Sequence, residues 1–478
     1  MKYFDESNRV AWVIMYGILV LLGLVSAYFL AKGLPIVPGI IAGALFLVVF
    51  VLVSLRHPDW GLAAFLFSLP FERIPSVVVG GATLRISQVM LAALLVAYVG
   101  SKLASRQFKL KLSPYFYPYA LFIVALLASF TNMISLSRGI LVFAFILFTS
   151  LTIWVVPAYL TSVKTLIVGL KSLFVSTLLI SVFGVYQFLG DIVGIPYQVT
   201  GLRELYTKRV FGFPRVHATA LEPLYLANFL IIPLSLTFAL FIRRIKLFTT
   251  KYYLLLILLP GLIFILTLSR GGYLGLAASL LVVMLGSLFW MLRPHVVLAG
   301  LSVVFILTIA VAGLANFSSI GQRAWEEVTR HFVDVQQDAS ALHRLESYVV
   351  AEQAYQTFPI TGVGLGNFGP YAANYPGALP IHGWAIVNNE PLELLAETGW
   401  FGLLSFVLLL VVLLVRSVTA FFAAKDQMLR AVMLGLIAAI VGVLVQYQFF
   451  STLYIMHIWT LFGLAIAVQN LIYQERRS

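Results

Sequence analysis

The chain has 478 residues, of which 61% are hydrophobic and only 10% are charged. Soluble domains carry about 25% charged residues, so this composition excludes a soluble globular protein and indicates a polytopic membrane protein. The net charge of +13 is explained by the basic residues that membrane proteins collect in cytoplasmic loops, and we predict no nucleic-acid partner. The chain has no cysteine, which excludes disulfides, thiolate metal sites and a cysteine nucleophile.

The length of the apolar runs predicts the spanning helices, because a span needs about 20 apolar residues. In chain order, the predicted spans lie near residues 10–31, 36–54, 59–70, 84–100, 115–133, 139–157, 168–190, 223–242, 252–268, 272–291, 295–314, 398–415, 430–449 and 453–471. The third is short and is expected to be re-entrant or merged with a neighbour. The predicted fold class is therefore an all-α polytopic membrane protein with about 12–14 transmembrane helices.

Lysine and arginine positions predict the orientation. With the N-terminus in the cytoplasm, most of the 31 basic residues face the cytoplasm, as the positive-inside rule requires, and both termini are cytoplasmic. A minority falls on the outer side against this bias. Each of these residues alone is equally well a solvated or snorkelling side chain, but several together indicate an anion site, because basic clusters bind phosphate groups. The outer residues are Arg138, Arg203, Lys208, Arg209, Arg215 and Arg270.

One long outer segment, residues 315–397, joins two late spans and carries most of the polar residues. Its first part is predicted to be helical from the apolar spacing of Trp325, Val328 and Phe332, and later of Leu345 and Tyr348. Its second part is a loop rich in glycine and proline. A loop of this length is usually functional or disordered, and the aromatic and apolar side chains favour an ordered, functional one.

Several motifs for other chemistries are excluded. The stretch "GVGLGNFG" matches the dinucleotide fingerprint at Gly364, Gly366 and Gly369, but that fingerprint needs a preceding strand and a following helix, so we interpret it as a tight turn. The sequence has no P-loop and no paired acidic motif for a nucleotide-sugar metal. We therefore predict no cofactor.

The seven histidines show no metal-ligand spacing, and we predict no metal site. His57, His295 and His457 are interpreted as residues of helix ends or packing. His217 and His382 lie in outer segments and stay candidates for the site.

Three polar groups remain on the outer side. Gly271 and Gly272 follow Arg270 and would let a bulky anion approach the backbone N–H groups of the next helix. At the exit of the long segment, Glu390, Glu393 and Glu397 recur on roughly one helix face, which is equally consistent with a solvated face. The three groups are "TKRVFGFPRVHATALEPLYLANFL" (207–230) with Arg209, Arg215, His217 and Glu222; "LSRGGYLG" with Ser269 and Arg270; and the long segment with Arg344 and "VNNEPLELLAETGW".

The order of "LSRGG", "PITGVGLGNF" and "NNEPLELLAETGWFGLL", with the large outer segment between the first two, resembles the O-antigen ligase and O-antigen polymerase superfamily. The resemblance covers about the C-terminal half. It implies a GT-C-like membrane fold in the plasma (inner) membrane of a bacterium. We expect residues 1–314 to form a transmembrane bundle with an outer loop at 191–222, residues 315–397 an extracytoplasmic loop domain, and residues 398–478 the last transmembrane helices and a cytoplasmic tail.

The resemblance also implies the reaction. Family members move a glycan from undecaprenyl diphosphate to a hydroxyl of the lipid A core, of another glycan repeat or of a protein, without metal or nucleotide, at the periplasmic or outer face. Arg270 and Arg209 or Arg215 would then bind the diphosphate, with Arg344 in support. Ser269, Gly271, Gly272, His217, Glu222, Asn389 and Glu397 would be supporting residues.

The sequence departs from the family at the proposed base. The family commonly has His-Asn before the pattern x-x-Leu-x-x-Leu-x-Glu-x-Gly, whereas this chain has Asn388 and Asn389. An amide cannot accept a proton at neutral pH, so His382 or Glu390 is expected to replace Asn388 as the base.

The leading hypothesis is an inverting, metal-independent glycan transferase of lipopolysaccharide or polysaccharide biosynthesis, as a ligase or as a polymerase. The alternative is a transporter or flippase for an anionic lipid or polysaccharide precursor, since outer arginines suit anion recognition equally. A transporter should show repeats and broken helices at mid-membrane, whereas the sequence shows no repeat and its polar residues cluster at one face rather than at mid-depth. A third hypothesis is a non-catalytic scaffold of a polysaccharide assembly complex, because Asn388 stands where the family commonly has its base.

Overall fold

A computed structural model describes residues 36–72, 74, 76–79, 82–104, 113–207, 213–288, 339–375 and 384–476. These residues are almost entirely helical. The helices are α1 (Ile36–Arg56), α2 (Pro58–Ser68), α3 (Ile86–Ala104), α4 (Phe116–Ala128), α5 (Leu136–Ser150), α6 (Thr152–Tyr159), α7 (Val163–Ile192), α8 (Tyr197–Thr200), α9 (Pro223–Ile242), α10 (Thr250–Leu266), α11 (Arg270–Gly286), α12 (Ala339–Thr357), α13 (Phe368–Ala372), α14 (Glu390–Ala423), α15 (Gln427–Gln446) and α16 (Met456–Glu475). Two short 3₁₀ turns lie at Ser129–Asn132 and Glu204–Tyr206.

The predicted class of polytopic helical membrane protein is confirmed. Within the described residues, seven helices are long and apolar enough to cross a membrane, and four shorter apolar helices accompany them. The predicted spans near 10–31 and 295–314, and the predicted helix around Trp325, lie outside the described residues.

Apolar side chains on the outside of the bundle fit a lipid-facing surface. Leu179 and Val182 on α7 are 50% and 58% exposed, and Leu404, Val411 and Val415 on α14 are 58%, 49% and 55% exposed. A water-soluble monomer rarely exposes contiguous apolar surface on this scale, whereas hydrocarbon covers such surface at no cost.

Helix α2 is the short third segment. Its 11 residues extend over about 16 Å at 1.5 Å per residue, less than the hydrocarbon thickness of about 30 Å. Leu62, Phe65 and Leu66 are buried in the protein core. The helix is therefore enclosed by protein, which fits the expectation of a segment that does not span on its own.

A β-hairpin follows α2 and was not predicted. Strand β1 (Ser76–Val79) pairs antiparallel with β2 (Ala82–Arg85), with Val79 opposite Ala82. The signal was present in the sequence, because Gly80-Gly81 between β-branched residues is typical of a two-residue hairpin connection.

Helices α9, α15 and α16 form the centre of the bundle. The best spanning windows of α16, α9 and α15 are 89%, 78% and 72% buried. Glycines allow close approach to these central helices, because a Cβ on Gly275 of α11 would lie 2.7 Å from the Gly442 carbonyl oxygen of α15. Small residues at such crossings let helix backbones pack directly against each other.

Segments that the orientation places outside meet at one end of the bundle, which we call the outer end. Val216 donates to the Leu266 carbonyl, and Thr219 donates to the Pro70 carbonyl. At the other end, Arg243 donates to the Gly286 carbonyl. The hydrogen bonds therefore group the connections between helices at two ends, as the predicted alternation of outer and cytoplasmic connections along the chain requires.

Candidate functional site

Two of the predicted arginines lie side by side at the outer end. The Arg215 guanidinium donates from Nε to the Thr267 carbonyl at 3.3 Å and from Nη2 to the Leu268 carbonyl at 3.4 Å. These carbonyls directly precede α11, which begins at Arg270. The positive charges of Arg215 and Arg270 are close enough to repel each other. We call these two residues the arginine pair.

Aromatic, acidic and basic side chains surround the arginine pair. Burial lowers the pKa of Arg215; the nearby charge of Arg270 also lowers it, while Tyr206 and Glu222 oppose this. Burial, followed by the charge of Glu222, raises the pKa of Tyr206 to about 12. The guanidinium carbon of Arg203 lies 5.8 Å from the Tyr206 ring, as does that of Arg215. Arg215 thus lies near an aromatic ring, a carboxylate and a second guanidinium, and the repulsion between Arg215 and Arg270 is the part of this arrangement that an anion would relieve.

His217 has a structural role in this cluster. The ring is fully buried, its Nε2 lies 3.2 Å from the Arg203 amide nitrogen, and its Nδ1 lies 3.1 Å from the Ala220 carbonyl oxygen. A carbonyl only accepts and an amide N–H only donates, so the ring is the neutral tautomer with its proton on Nδ1. Both nitrogens are used, and the ring has no lone pair left to take a proton from a substrate.

The residues next to Arg270 shape the start of α11. Ser269 is the N-cap, and its hydroxyl accepts from the Gly272 amide at 3.2 Å. A Cβ on Gly271 would lie 2.6 Å from the Phe449 Cβ, and one on Gly272 would lie 2.8 Å from the Ala227 Cβ. Protein side chains fill the space beside both glycines. The sequence predicts that this space lets a bulky anion approach the backbone, so the packing differs from that expectation.

The two asparagines at the predicted base position set the start of α14. Asn389 is the N-cap, and its Oδ1 accepts from the Leu392 amide at 3.1 Å. Asn388 has a φ of 57°, a left-handed conformation that asparagine tolerates better than most residues. The backbone amide of Asn388 donates to the Ser451 hydroxyl at 3.1 Å. Both residues therefore have a backbone role that accounts for their identity.

Glu397 holds the glycine-rich segment, residues 362–368, which we call the glycine loop. Its Oε2 accepts from the Gly366 amide at 2.7 Å and its Oε1 accepts from the Phe368 amide at 2.9 Å. Gly362, Gly364 and Gly366 all have positive φ. The interpretation of this motif as a tight turn is confirmed, and both oxygens of Glu397 are occupied.

Glu393 lies beside the asparagines. Its Oε2 accepts from the Val387 amide at 2.8 Å and from the Ser451 hydroxyl at 2.5 Å. Arg138 is close enough to attract the Glu393 carboxylate, and its Nε donates to the Gly366 carbonyl. Arg138 therefore joins the glycine loop to the carboxylates, a role that fits its exception to the charge bias.

Glu390 is buried like Glu397, with 4% of its surface exposed against 7% for Glu397, but its carboxylate is less fully hydrogen-bonded. Its amide donates to the Tyr447 carbonyl at 2.8 Å. Its Oε2 forms no hydrogen bond within the described part of the chain. This predicted base candidate thus faces protein on most sides.

Residues 447–455, between α15 and α16, connect the two halves of the site; we call them the junction loop. Ser451 bonds to Glu393, and Thr452 lies 3.0 Å from the Tyr225 hydroxyl. Phe449 packs on Gly271, beside Arg270. Nothing in the sequence pattern of this loop marked it as part of the site.

A buried polar chain lies beneath the arginine pair and was missed from the sequence. Nδ1 of His457 lies 3.2 Å from Glu72 Oε1, and its Nε2 lies 2.7 Å from Asn228 Oδ1. Asn228 donates to Gln446 Oε1 at 2.9 Å. His457 is the second residue of α16 and thus lies at a helix end, as interpreted from the sequence, but its partners are polar. The contact with His457 and the charge of Arg85 outweigh burial and leave the pKa of Glu72 below its ordinary value of 4.5.

The other predicted residues are placed as follows. Arg344 is half-buried in α12, and its place in the site stays a prediction. Arg209 and His382 lie outside the described residues. Among the residues that the structure describes, no three His, Cys, Asp or Glu side chains form a group that would hold a metal ion.

Comparison with known proteins identifies a family for part of the chain. A family model described as O-antigen ligase matches residues 254–407. This segment includes Arg270, Arg344 and the three carboxylates of α14, whereas Arg215 and the junction loop lie outside it. Curated proteins give no match. At the family level the domain indicates glycan transfer of the O-antigen ligase type, and with the apolar helices it indicates a bacterial membrane protein. The match confirms the resemblance to the O-antigen ligase and O-antigen polymerase superfamily and assigns it to residues 254–407.

Proposed function

We propose that the chain transfers a glycan from undecaprenyl diphosphate to an acceptor hydroxyl on the extracytoplasmic face, as an O-antigen ligase or as an O-antigen or exopolysaccharide polymerase. The observation that carries the proposal is the arginine pair at the start of the second helix of the O-antigen ligase domain. Two guanidinium groups that repel each other in a partly desolvated site suit the two phosphates of such a donor.

The chemistry needs charge stabilisation more than acid catalysis. The acceptor oxygen attacks the anomeric carbon and inverts it, and the lipid diphosphate leaves as a weak base. Bidentate guanidinium–phosphate contacts stabilise the charge of that leaving group, and they are worth most where water is excluded. The proposed mechanism therefore uses no metal and no nucleotide.

The orientation and the remaining residues belong to the same proposal. The outer end faces the periplasm or exterior, and both termini are cytoplasmic. Arg209 and Arg344 are proposed to add to the diphosphate site. The kink at Gly399 supports a division near residue 397 between the loop domain and the last membrane helices. The acceptor is a lipid A core, a growing glycan or another hydroxyl acceptor.

The test is to incubate the purified full-length chain in lipid nanodiscs with an undecaprenyl-diphosphate oligosaccharide and candidate acceptors. We expect a new glycosidic bond between donor glycan and acceptor, found by mass spectrometry. A single added glycan indicates ligation, and a ladder of repeats indicates polymerisation. Movement of the donor between leaflets without any new bond would instead favour a flippase and contradict the proposal.

A further inference from the structure

The three carboxylates at the start of α14 differ in what they are free to do. Both oxygens of Glu397 accept backbone hydrogen bonds from the glycine loop. Glu390 is buried. Glu393 is half-buried, and both of its hydrogen bonds go to the same oxygen, Oε2. Glu390 also has an unengaged oxygen, Oε2, but that oxygen is buried. Among the three, Glu393 is the carboxylate that combines a fixed position and an oxygen not engaged by the described residues with a side chain that is not buried.

The histidines described at the outer end are engaged in structure. His217 uses both ring nitrogens, and His457 is 1% exposed between Glu72 and Asn228. Asn388 carries no group that accepts a proton at neutral pH. A transfer to a hydroxyl therefore needs another proton acceptor near Asn388.

We propose that Glu393 is the general base that takes the proton of the acceptor hydroxyl. This inference rests on the proposed glycan transfer. As the acceptor oxygen forms its bond to the anomeric carbon, the bond between that carbon and the diphosphate oxygen breaks. The hydroxyl proton passes to Glu393 Oε1, and the diphosphate leaves with the bonding electron pair toward the arginine pair.

The junction loop brings this base close to the proposed diphosphate site. Ser451 donates to Glu393, and Phe449, two residues earlier, packs on Gly271. Two residues of extended chain cover at most about 7 Å. Glu393 and Arg270 therefore lie on either side of one short stretch of backbone. A general base and a leaving-group site that serve the same acceptor must be close together in this way.

The groups around Glu393 suit a carboxylate that gains and loses a proton. Glu390 and Glu397 face it from its own helix, Arg138 faces it from α5, and Tyr454 faces it from the junction loop. Burial favours the protonated form of Glu393, and the hydrogen bonds from Ser451 and Val387 together with the Arg138 guanidinium favour the ionised form. The Val387 amide and the Ser451 hydroxyl keep Oε2 in place in either form.

The test compares the pH dependence of transfer in the wild type and in Glu393→Gln, using the full chain in nanodiscs. We expect Glu393→Gln to lower the rate about 10²–10⁴-fold, the range for loss of a general base. We also expect it to lose the fall in rate that the wild type shows at acid pH, while binding of a labelled undecaprenyl-diphosphate donor stays within about twofold. The matched control is Glu346→Gln, an exposed carboxylate on α12, which should keep the wild-type rate and profile.

The outcomes separate this inference from the proposed function. A wild-type chain that forms no glycan–acceptor bond overturns both. An active wild type with an unchanged rate and profile in Glu393→Gln overturns the role of Glu393 alone, and so does loss of the acid limb in His382→Ala instead. If Glu393→Gln does not fold, Glu393→Asp gives the test: a lowered rate that keeps an acid limb supports the role, and an unchanged rate and profile contradicts it.

Discussion

Glu72 is the residue whose burial is hardest to explain without a partner. A carboxylate inside a protein is costly unless it is paired, and Glu72 is 4% exposed. Its contact with His457 and its closeness to Arg85 supply that pairing. The pair also ties the loop after α2 to the start of α16, two segments that are far apart in the sequence.

Replacing Glu72 with Gln should destabilise the protein by about 1–3 kcal/mol, the range for a buried polar group that loses its partner. The pKa of Glu72 is lowered in the folded chain from its ordinary value of 4.5. Its contribution is therefore complete above that value and is lost as pH falls through the folded-state pKa. Thermal unfolding in detergent at several pH values should show a gap between wild type and variant that narrows at acid pH.

The control for this measurement is Glu204→Gln, an exposed carboxylate of the same outer end, which should unfold with the wild type at every pH. A gap for Glu72→Gln that is absent at neutral pH, or that widens as pH falls, would contradict the assigned contact between Glu72 and His457.

Individual site residues were predictable from the sequence only where they violated a rule. Arg215 and Arg270 stood out because they oppose the positive-inside bias, and the structure brings them together. Glu72 and His457 violate no pattern on their own, because a carboxylate after a short helix and a histidine at a helix start are both ordinary. Their pairing depends on a contact between distant segments, which a single sequence does not encode in any local period.

Among the elements, α14 depends most on one residue. The sequence predicted a span from residue 398, and the membrane part of α14 begins at the kink at Gly399, while a preceding helical part begins at Glu390. Gly399 interrupts it with φ 63° and ψ −167°, a conformation that is essentially restricted to glycine. The amides of Trp400 and Phe401 donate instead to the Pro359 and Ile360 carbonyls. The kink thus joins the membrane helix to the segment that leads into the glycine loop.

Gly399→Ala should destabilise the protein strongly. The backbone conformation alone costs a non-glycine residue of the order of 1–3 kcal/mol, and the new Cβ would meet the Ile360 carbonyl backbone. The matched control is Gly261→Ala in α10, where a Cβ meets nothing within 4 Å, and where alanine should stabilise the helix by roughly 0.5–1 kcal/mol. Thermal unfolding would refute the account if both variants unfolded at the wild-type temperature.

On the scale of the whole molecule, the two ends of the bundle differ in a way that matches the charge count. The segments assigned to the outside by lysine and arginine counting are joined by hydrogen bonds, such as those from the Asn132 side chain to the Gly362 carbonyl and from the Ser135 backbone amide to the Asn367 side chain. At the opposite end, Arg416 lies over the rings of Tyr115 and Tyr473. The proposal that the first end faces the exterior follows from the positive-inside rule.

Labelling of single cysteines tests this orientation without a background signal, because the chain has no cysteine. Ser137 is exposed at the outer end and Lys425 at the other. A membrane-impermeant maleimide should label Ser137→Cys in cells with a permeabilised outer membrane, and Lys425→Cys only after the inner membrane is opened. The reverse pattern would contradict the proposed face of the site.

Most of the described spans were predictable from apolar run length, because spanning a bilayer imposes a length on the sequence. The hydrogen-bonded outer end was less predictable. The glycine loop was recognisable as a turn, but its attachment to Glu397 and Arg138 depends on tertiary packing. The helical turns of α14 before the kink at Gly399 were not predicted, because capping by Asn389 and not hydropathy sets where they begin.

The central claim is that the arginine pair holds the diphosphate of a glycan donor during transfer. The most direct measurement compares the transfer rate of the wild type, Arg270→Ala and the exposed-site control Lys425→Gln in nanodiscs, with thermal unfolding as the folding control. We predict that Arg270→Ala abolishes transfer, lowers donor affinity and unfolds at the wild-type temperature, while the control matches the wild type. Near-normal transfer by a folded Arg270→Ala would contradict the account.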